Sequence, residues 1–345
     1  MDTKRQIEIL GIILANEAIG ISAIMQNITG QISISTLNRE LAKLKKDDFI
    51  LIEGKGPGTR YKANLRGLIK ANIDPSLFFK TDIDSRVVME RFNPFIIDTL
   101  QKISLFSENE ISLLDKFTSL YRKKIKETNS INLKKEFERL MIELSWKSSQ
   151  IEGNTYDLLD TEQLLKYNIP SAGNTSEEAL MLLNHKYAIE YSREQAAEFK
   201  NISVSKIIDL HSLLIKDMGI SKTIRKRLVR ITGTKYTPPD NQFIVEEGLE
   251  KLCSYINSNT NYYEKALAAV LLISYIQPFD DGNKRTARLL ANALLMSANM
   301  CPLSYRSVSP SDYKKAILLF YELNNVEAFK EIFIAQYQFA VENYF

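Results

Sequence analysis

Two arginines stand three residues apart in a short polar stretch between two apolar runs of the chain. At that spacing Arg285 and Arg288 fall on one face of a helix, so both guanidinium groups can point at one polyphosphate. Gly282 precedes them and permits the tight backbone turn at which a helix offers its free N–H groups to an anion. The stretch therefore indicates a phosphate-binding loop at a helix N-terminus.

Two polar side chains of the same loop suit the rest of a nucleotide site. Asp281 offers hard carboxylate oxygens of the kind that hold a Mg²⁺ bridging phosphates. Asn283 can donate a hydrogen bond to a phosphate oxygen without adding charge. The alternative is a plain joint between two helices whose arginines cap surface carbonyl groups. The order Asp, Gly, Asn and two Arg argues against that alternative.

Two apolar helices must position this loop. The run Ala266–Ile276 is well short of the roughly 20 residues of a membrane span, so it is best interpreted as a buried central helix. Pro278 and Gly282 end it, and we expect a second core helix to begin near Asn283, with its N-terminus exposed at the break. Phe279 is expected to point inward and anchor the loop.

The segment Gln277–Arg288 resembles the signature of the Fic/Doc (Fido) family, H-x-F-x-[D/E]-G-N-x-R-x-x-R. Every defining position matches except the first, where Gln277 replaces the histidine. The resemblance implies a mainly α fold with a Fic-type helical core and a β-hairpin flap. It also implies transfer of AMP from ATP to a hydroxyl side chain of a target protein, with ATP and Mg²⁺ bound by residues of the signature. The ATP-binding residues would be Gly282, Asn283, Arg285 and Arg288, with Asp281 as the metal ligand.

Two further segments resemble parts of the same family. Ser148, Glu152 and Gly153 are similar to its inhibitory helix motif, [S/T]-x-x-x-E-[G/N], in which the glutamate pairs with the second arginine, here Arg288. Two β-branched runs around a Pro-Pro tip, spanning 229–245, resemble the flap hairpin that covers the nucleotide and holds a target segment by strand addition. The docking residues would be Lys235, Tyr236, Thr237 and Pro238.

The glutamine bears directly on activity. In the family the histidine accepts the proton of the attacking hydroxyl, and the carboxamide of Gln277 cannot take up a proton at physiological pH. Three interpretations stay open: a self-inhibited, impaired adenylyltransferase, an inactive nucleotide-binding regulator, and another phosphate-transfer enzyme that tolerates glutamine. His185 and His211 each lie among leucines and are interpreted as structural, so no transition-metal site is expected.

The first seventy residues carry the basic excess of the chain. They contain eleven Lys and Arg against seven Asp and Glu, within a total of 45 against 42. The pattern predicts three helices and a glycine-rich hairpin, with a strand at 49–52 and a returning strand at 59–62, which resembles a winged helix-turn-helix domain. Such a domain binds either DNA or a protein partner. The DNA-contact candidates are Asn38, Arg39, Lys43 and Arg60.

The predicted organisation has three parts. A winged helix-turn-helix domain spans 1–68, a linker and the edge of the helical domain span 69–106, and the Fic domain spans 107–345 with its inhibitory helix at 133–154. Two cysteines are too few for a disulfide framework, and no segment reads as a signal peptide or membrane span. We therefore expect a cytoplasmic protein without membrane contact. The target protein is not indicated, and a homodimer is among the assemblies that the sequence allows.

Overall fold

A computed structural model of the chain describes residues 4–14, 16, 18–86 and 88–345. The fold is mainly helical, with 64% helix and 3% strand, as the sequence predicts. No helix among these residues combines the length and hydrophobicity of a membrane span. The helices are α1 Lys4–Leu14, α2 Ile21–Asn27, α3 Ile34–Lys46, α4 Leu65–Ile69, α5 Pro75–Phe78, α6 Ile96–Leu100, α7 Glu108–Glu127, α8 Ser130–Ile151, α9 Leu158–Tyr167, α10 Ser176–Glu194, α11 Val204–Leu214, α12 Gln242–Ser258, α13 Tyr262–Ile276, α14 Asn283–Ser297, α15 Pro310–Leu323 and α16 Glu327–Tyr344.

The chain divides into two compact units, which are described separately. Unit 1 comprises Met1–Leu105, Arg230–Pro238 and Lys315–Lys330, and unit 2 comprises the remaining residues. The predicted domain boundaries after residues 68 and 106, and a cytoplasmic location, stay predictions.

Three helices and a hairpin form the N-terminal part of unit 1. Strand β1 (Ile50–Glu53) pairs antiparallel with β2 (Arg60–Ala63), with Ile50 opposite Ala63 and Glu53 opposite Arg60. Helix α3 begins after Ser33, whose hydroxyl accepts a hydrogen bond from the N–H of Thr36. The elements lie where the sequence predicts them. Their assignment to a winged helix-turn-helix domain stays a prediction.

The core of unit 2 is built around α13 and α14. Every residue from Tyr263 to Ile276 is buried, so α13 has no solvent-facing stripe and is enclosed on all sides. Helix α14 packs against it, and α8, α10, α11 and α12 surround the pair. The chain breaks between the two helices at residues 277–282, as predicted from Pro278 and Gly282.

The predicted β-hairpin flap at 229–245 is wrong. No residue of this segment lies in a strand, and its β contact in the described structure is an isolated bridge between Thr237 and Arg91. Phe243–Val245 lies within α12, because the Asn241 side chain accepts the N–H of Phe243 and caps that helix. Pro238 and Pro239 also lack the N–H groups that a hairpin ladder needs.

Both histidines are enclosed in unit 2, where the sequence analysis expects structural roles for them. His185 and His211 are each fully buried. A ring nitrogen of His185 shares a hydrogen bond with the Ser148 hydroxyl at 2.9 Å. The Nε2 of His211 donates to the carbonyl oxygen of Asp281 at 2.9 Å. Burial lowers the pKa of His185 to about 3 and that of His211 to about 4, so both rings are neutral in the folded chain.

Acid should therefore destabilise the chain through these rings. An unfolded histidine titrates near about 6.5, so the stability that each buried ring contributes is complete above that pH. This stability falls as the pH drops from about 6.5 toward 4, because the unfolded chain takes up a proton that the folded chain excludes. The free energy of unfolding then decreases by up to about 1.4 kcal/mol per pH unit for each histidine. Urea unfolding from about pH 7 to about pH 5 gives the pH dependence of the unfolding free energy, and near pH 5 this dependence should be smaller by nearly one proton in His185→Gln than in the unaltered chain. Equal slopes would contradict burial of a neutral ring.

Candidate functional site

The loop between α13 and α14 begins at Gln277, which ends α13 in a left-handed conformation with φ of +52°. Its N–H closes the last turn of α13 on Ile273, at 2.9 Å. Its side-chain amide folds back and donates to the carbonyl oxygen of Ser274 at 2.6 Å. The carboxamide is thus 8% exposed and already bonded to its own helix. It offers no group that accepts a proton.

The body of the loop is pinned from two sides. The Phe279 ring is fully buried and stacks on the His211 ring, with centroids 3.6 Å apart and planes 3° from parallel. The Asn283 side chain accepts the N–H of Phe279 and donates to its carbonyl oxygen, each at 2.8 Å. Phe279 therefore points inward as predicted. Asn283 shapes the loop, a role that the sequence analysis does not foresee, and its contact with phosphate stays a prediction.

Gly282 supplies the turn into α14. It adopts φ of +79°, and a Cβ there would lie 3.3 Å from Ile215 and 3.4 Å from the His211 ring. Only glycine meets both requirements without strain. Helix α14 starts at the next residue, and the first N–H groups of a helix have no partner within it. The loop thus presents the positive end of a buried helix, an arrangement suited to phosphate oxygens.

Arg285 carries an incompletely bonded charge into this site. The residue is 1% exposed, and its Nη2 donates to the Asp281 carboxylate at 3.0 Å. Its Nε and Nη1 are buried and have no hydrogen-bond partner among the described residues. Burial lowers the pKa of this guanidinium, which the nearby Asp281 carboxylate partly offsets. Because buried charged donors are costly when unpaired, the group is prepared for an anion.

Arg288 is held by the end of α8. Its Nε donates to the Ser148 hydroxyl at 2.9 Å, and its Nη2 donates to the Ser148 carbonyl oxygen at 2.8 Å. The same Nη2 lies 2.9 Å from the Glu152 carboxylate, so the predicted contact of Glu152 with Arg288 is present. Gly153 follows with φ of +104° and turns the chain away. That this contact inhibits a reaction stays a prediction.

Glu152 bridges two cations. Besides Arg288, it contacts the Lys284 ammonium at 3.2 Å. Burial by itself would raise the pKa of this carboxyl, but the charges of Arg288 and Lys284 outweigh it, and the net shift is downward. Burial by itself would lower the pKa of Arg288, yet Tyr313 and Glu152 more than offset it. The ion pair is therefore fully charged at neutral pH.

Asp281 fits the predicted role of a Mg²⁺ ligand. Its side chain is 62% exposed at the mouth of the loop, and the oxygen that bonds Arg285 leaves the other free to face solvent. The described residues include no group of three or more acidic, histidine or cysteine side chains that could hold a metal by themselves. Mg²⁺ in phosphate sites commonly takes one or two carboxylates and completes its shell with phosphate and water. A single carboxylate is therefore compatible with Mg²⁺ in a phosphate site, and the metal itself stays a prediction.

The structure brings together the signature and inhibitory-motif residues predicted for the site, all within unit 2. The predicted docking residues Lys235, Tyr236, Thr237 and Pro238 belong to unit 1, as do the DNA-contact candidates, Asn38, Arg39, Lys43 and Arg60. Tyr236 is 2% exposed and packs against Tyr321.

Arg225 is a site residue that sequence reasoning missed. It is 3% exposed, and its guanidinium donates to the carbonyl oxygens of Gln277 at 2.5 Å and Pro239 at 2.7 Å. Its backbone N–H donates to the Pro278 carbonyl oxygen at 2.9 Å. Arg225 thereby holds the left-handed end of α13. In the sequence it stands in the basic run 222–230, which looks like a solvated surface, so no local signal marks it.

Comparison with known proteins agrees with this geometry. Residues 201–295 match the model of the Fic/DOC family. Over 193 residues the chain is 27% identical to a protein adenylyltransferase Fic of Nematostella vectensis, covering 53% of this chain and 44% of that protein. Over 221 residues it is 28% identical to a protein adenylyltransferase Fic of Drosophila mojavensis, covering 62% of this chain and 43% of that protein. The chain spans less than half the length of these curated relatives.

Two solved structures share the fold. Fic-1 from Caenorhabditis elegans superposes with a TM-score of 0.58 at 20% identity, covering 68% of this chain and 71% of that one. A Fic domain containing signaling protein from Bacteroides thetaiotaomicron gives a TM-score of 0.56 at 19% identity, covering 67% of this chain and 94% of that one. By its match to the family model, the segment 201–295 is a Fic/DOC family domain, and it contains the loop between α13 and α14, all of α13, and α14 up to Leu295.

Proposed function

We propose that this chain binds ATP with Mg²⁺ in the loop between α13 and α14 and is a Fic-type protein adenylyltransferase, self-inhibited by Glu152 and impaired at Gln277. The observation that carries the proposal is Arg285, a buried guanidinium with two unpaired N–H donor groups beside the N-terminus of a core helix. A polyphosphate would satisfy these donors and the helix N-terminus together. The relatives named protein adenylyltransferase Fic support ATP as the donor.

The reaction would join the hydroxyl oxygen of a target side chain to the α-phosphorus of ATP. The bond from that phosphorus to the bridging oxygen breaks, pyrophosphate leaves, and the hydroxyl proton must pass to a base. Arg285 and the α14 N-terminus would hold the phosphates, and Asp281 would hold Mg²⁺, which neutralises phosphate charge. Gln277 stands at the position of the base and accepts no proton, and loss of a general base typically slows such a step about 10²–10⁴-fold.

Self-inhibition would act on a different part of the nucleotide. The Nε and Nη2 of Arg288 contact Ser148 and Glu152 before any ligand arrives, whereas its buried Nη1 has no hydrogen-bond partner among the described residues. A γ-phosphate would have to replace the Glu152 carboxylate on Arg288. The contact therefore opposes the correct placement of ATP, while Gln277 limits the chemical step.

The first test is nucleotide affinity. Arg285→Ala should weaken binding of ATP·Mg²⁺ tenfold or more in calorimetry, taking about 1.4 kcal/mol as one decade, because the buried donors are lost. Arg285→Lys should retain part of the affinity through charge alone. The exposed Arg66→Ala serves as a matched control and should bind like the unaltered chain. Equal affinity in all four proteins would show that the phosphate site is elsewhere.

The second test separates self-inhibition by Glu152 from the loss of a base at Gln277. Glu152→Gly should improve nucleotide affinity yet leave transfer slow, and Gln277→His should restore a base to a site that Glu152 still restrains. The double variant should modify itself on Ser, Thr or Tyr well above either single variant, because the two changes relieve different steps of one reaction. Intact-mass spectrometry after incubation with ATP·Mg²⁺ would detect the added AMP. A double variant that binds ATP but stays unmodified would favour an inactive nucleotide-binding regulator.

A second candidate function is DNA binding by an inactive nucleotide-binding regulator. The exposed surface of α3 favours it. Helix α3 buries Leu37, Leu41 and Leu44, which leaves Asn38 and Arg39 exposed on its outer face. Arg60 is exposed on the adjoining hairpin. Such a face can enter a major groove while the hairpin approaches phosphates.

Salt dependence tests this candidate. If the face binds DNA, affinity for random duplexes should fall steeply with salt, and Arg39→Ala or Arg60→Ala should each reduce the slope by about one. Asn38→Ala should leave the slope unchanged, since it removes no charge. A flat salt dependence, together with no sequence enriched by selection, would indicate a protein partner instead.

A further inference from the structure

A cavity of about 460 Å³ lies in unit 2 at the end of α14 that is remote from the phosphate-type loop. Helices α7 and α8, the last turn of α10 and the end of α14 contribute its walls. Met296 lines the cavity and follows Asn283 by 13 residues, which is about 20 Å along a helix. The cavity is therefore separate from the site of the signature.

The floor of the cavity is apolar. Tyr121, Phe137 and Met300 line it as buried side chains, and Leu133 and Met296 line it as half-buried ones. Methionine side chains adapt their shape to what they contact, and small-molecule sites typically enclose about 300–1,000 Å³. The floor can therefore cover the apolar body of a small molecule.

Three exposed cations, Arg122, Lys126 and Arg193, line the same cavity. None of the described residues that line it has an acidic side chain. Neither the Lys126 nor the Arg193 side chain forms a hydrogen bond or an ion pair with another residue in the described part of the chain. The positive charge beside this apolar floor is therefore not balanced within the cavity.

Two of these cations are held in place by contacts. The Arg193 guanidinium lies over the Phe137 ring, 4.1 Å from its centroid, so the charge is held against the apolar floor. Arg122 donates to the carbonyl oxygens of Ala298 at 2.9 Å and Asn299 at 3.1 Å, just after α14. Because Arg122 covers these carbonyl groups, an anion in the cavity would face positive charge and would not be repelled by the end of that helix.

We propose that this cavity binds a small amphipathic anion, a molecule with an apolar body and one carboxylate or phosphate group. The body would lie on Leu133, Met296 and Met300, and its burial would supply most of the affinity. The anionic group would bind Lys126 and Arg193 and fix the orientation. The site does not rest on the proposed function, since neither ATP nor the signature takes part in it.

Decanoate is a suitable probe in calorimetry with the full chain. Decanoate should bind, and octanoate should bind about 15-fold more weakly, because two fewer CH₂ groups are buried. Decanol has the same body without the charge and should bind at least tenfold more weakly than decanoate. Tighter binding of decyl phosphate than of decanoate would identify an organic phosphate as the ligand class, and the reverse order would identify a carboxylate.

Three variants locate the bound decanoate. Arg193→Glu reverses one charge of the cavity and should weaken decanoate binding at least tenfold. Lys123→Glu is the same kind of change at a 69% exposed position of α7 that does not line the cavity, and it should bind like the unaltered chain. Ala196→Trp fills the cavity from a half-buried position of its wall and should abolish binding. In NMR spectra of ¹³C-methyl methionine, decanoate should shift Met296 and Met300 but not Met25 of unit 1.

Three results would overturn the proposal. They are no decanoate binding to the unaltered chain, equal affinity for decanoate and decanol, and equal decanoate affinity in the unaltered chain, Arg193→Glu and Ala196→Trp. ATP·Mg²⁺ affinity measured on the same samples reports separately on the proposed function. It should be the same in Arg193→Glu as in the unaltered chain, so either site can fail without the other.

Discussion

The burial of two guanidinium groups on adjacent turns of α14 is the constraint on which unit 2 depends. Arg285 and Arg288 are 1% and 0% exposed. Their positive charges repel, and the charge of Arg288 lowers the pKa of Arg285. Two carboxylates pair with these cations: Asp281 contacts Arg285, and Glu152 contacts Arg288. Glu152 also contacts a third cation, Lys284. Three positive charges face two negative ones, so this cluster has one excess positive charge. An anionic ligand would neutralise that excess.

The polar groups around this charge cluster satisfy the hydrogen bonds of its buried charges and of the helix end beside it. Ser148 accepts two hydrogen bonds from Arg288 and shares a third with a buried, neutral His185. Arg225 holds the carbonyl groups that end α13, where the negative end of a helix dipole would otherwise be buried without compensation. Polar groups that are already fixed in place need little rearrangement on ligand binding, and the exception here is Glu152, which a γ-phosphate would have to displace from Arg288.

Much of the site could be predicted from sequence because its signals are local. Pro278 and Gly282 mark the break, the apolar run before it marks α13, and the spacing of Arg285 and Arg288 marks one helical face. The contact of Glu152 with Arg288 could be predicted only from the resemblance to a family. The two residues are separated by 135 others, and no local pattern in the sequence indicates that they meet. The loop-shaping role of Asn283 was not foreseen, because an asparagine beside a loop suits both a ligand and the loop backbone, and its contact with phosphate stays a prediction.

The failures share a different cause. Phe243–Val245 has the β-branched and aromatic composition of a strand, but Asn241 caps a helix there, and Val245, Leu249, Leu252 and Ile256 supply that helix with a buried face. Arg225 acts through the backbone groups of residues that are distant in the sequence, Gln277, Pro278 and Pro239. Every residue carries such groups, so no residue type or spacing announces these contacts.

Glu152 sits one residue beyond the last turn of α8, whereas its partner Arg288 lies inside a helix that is buried nearly throughout. The last turn of α8 is itself packed, because Ser148, Ser149 and Ile151 are buried and Ser148 bonds both Arg288 and His185. Neither helix end is therefore a frayed terminus, and the Glu152 side chain is the part of this contact that lies nearest to solvent. Rotation of that one side chain would release its hold on Arg288 while both helices keep their shape.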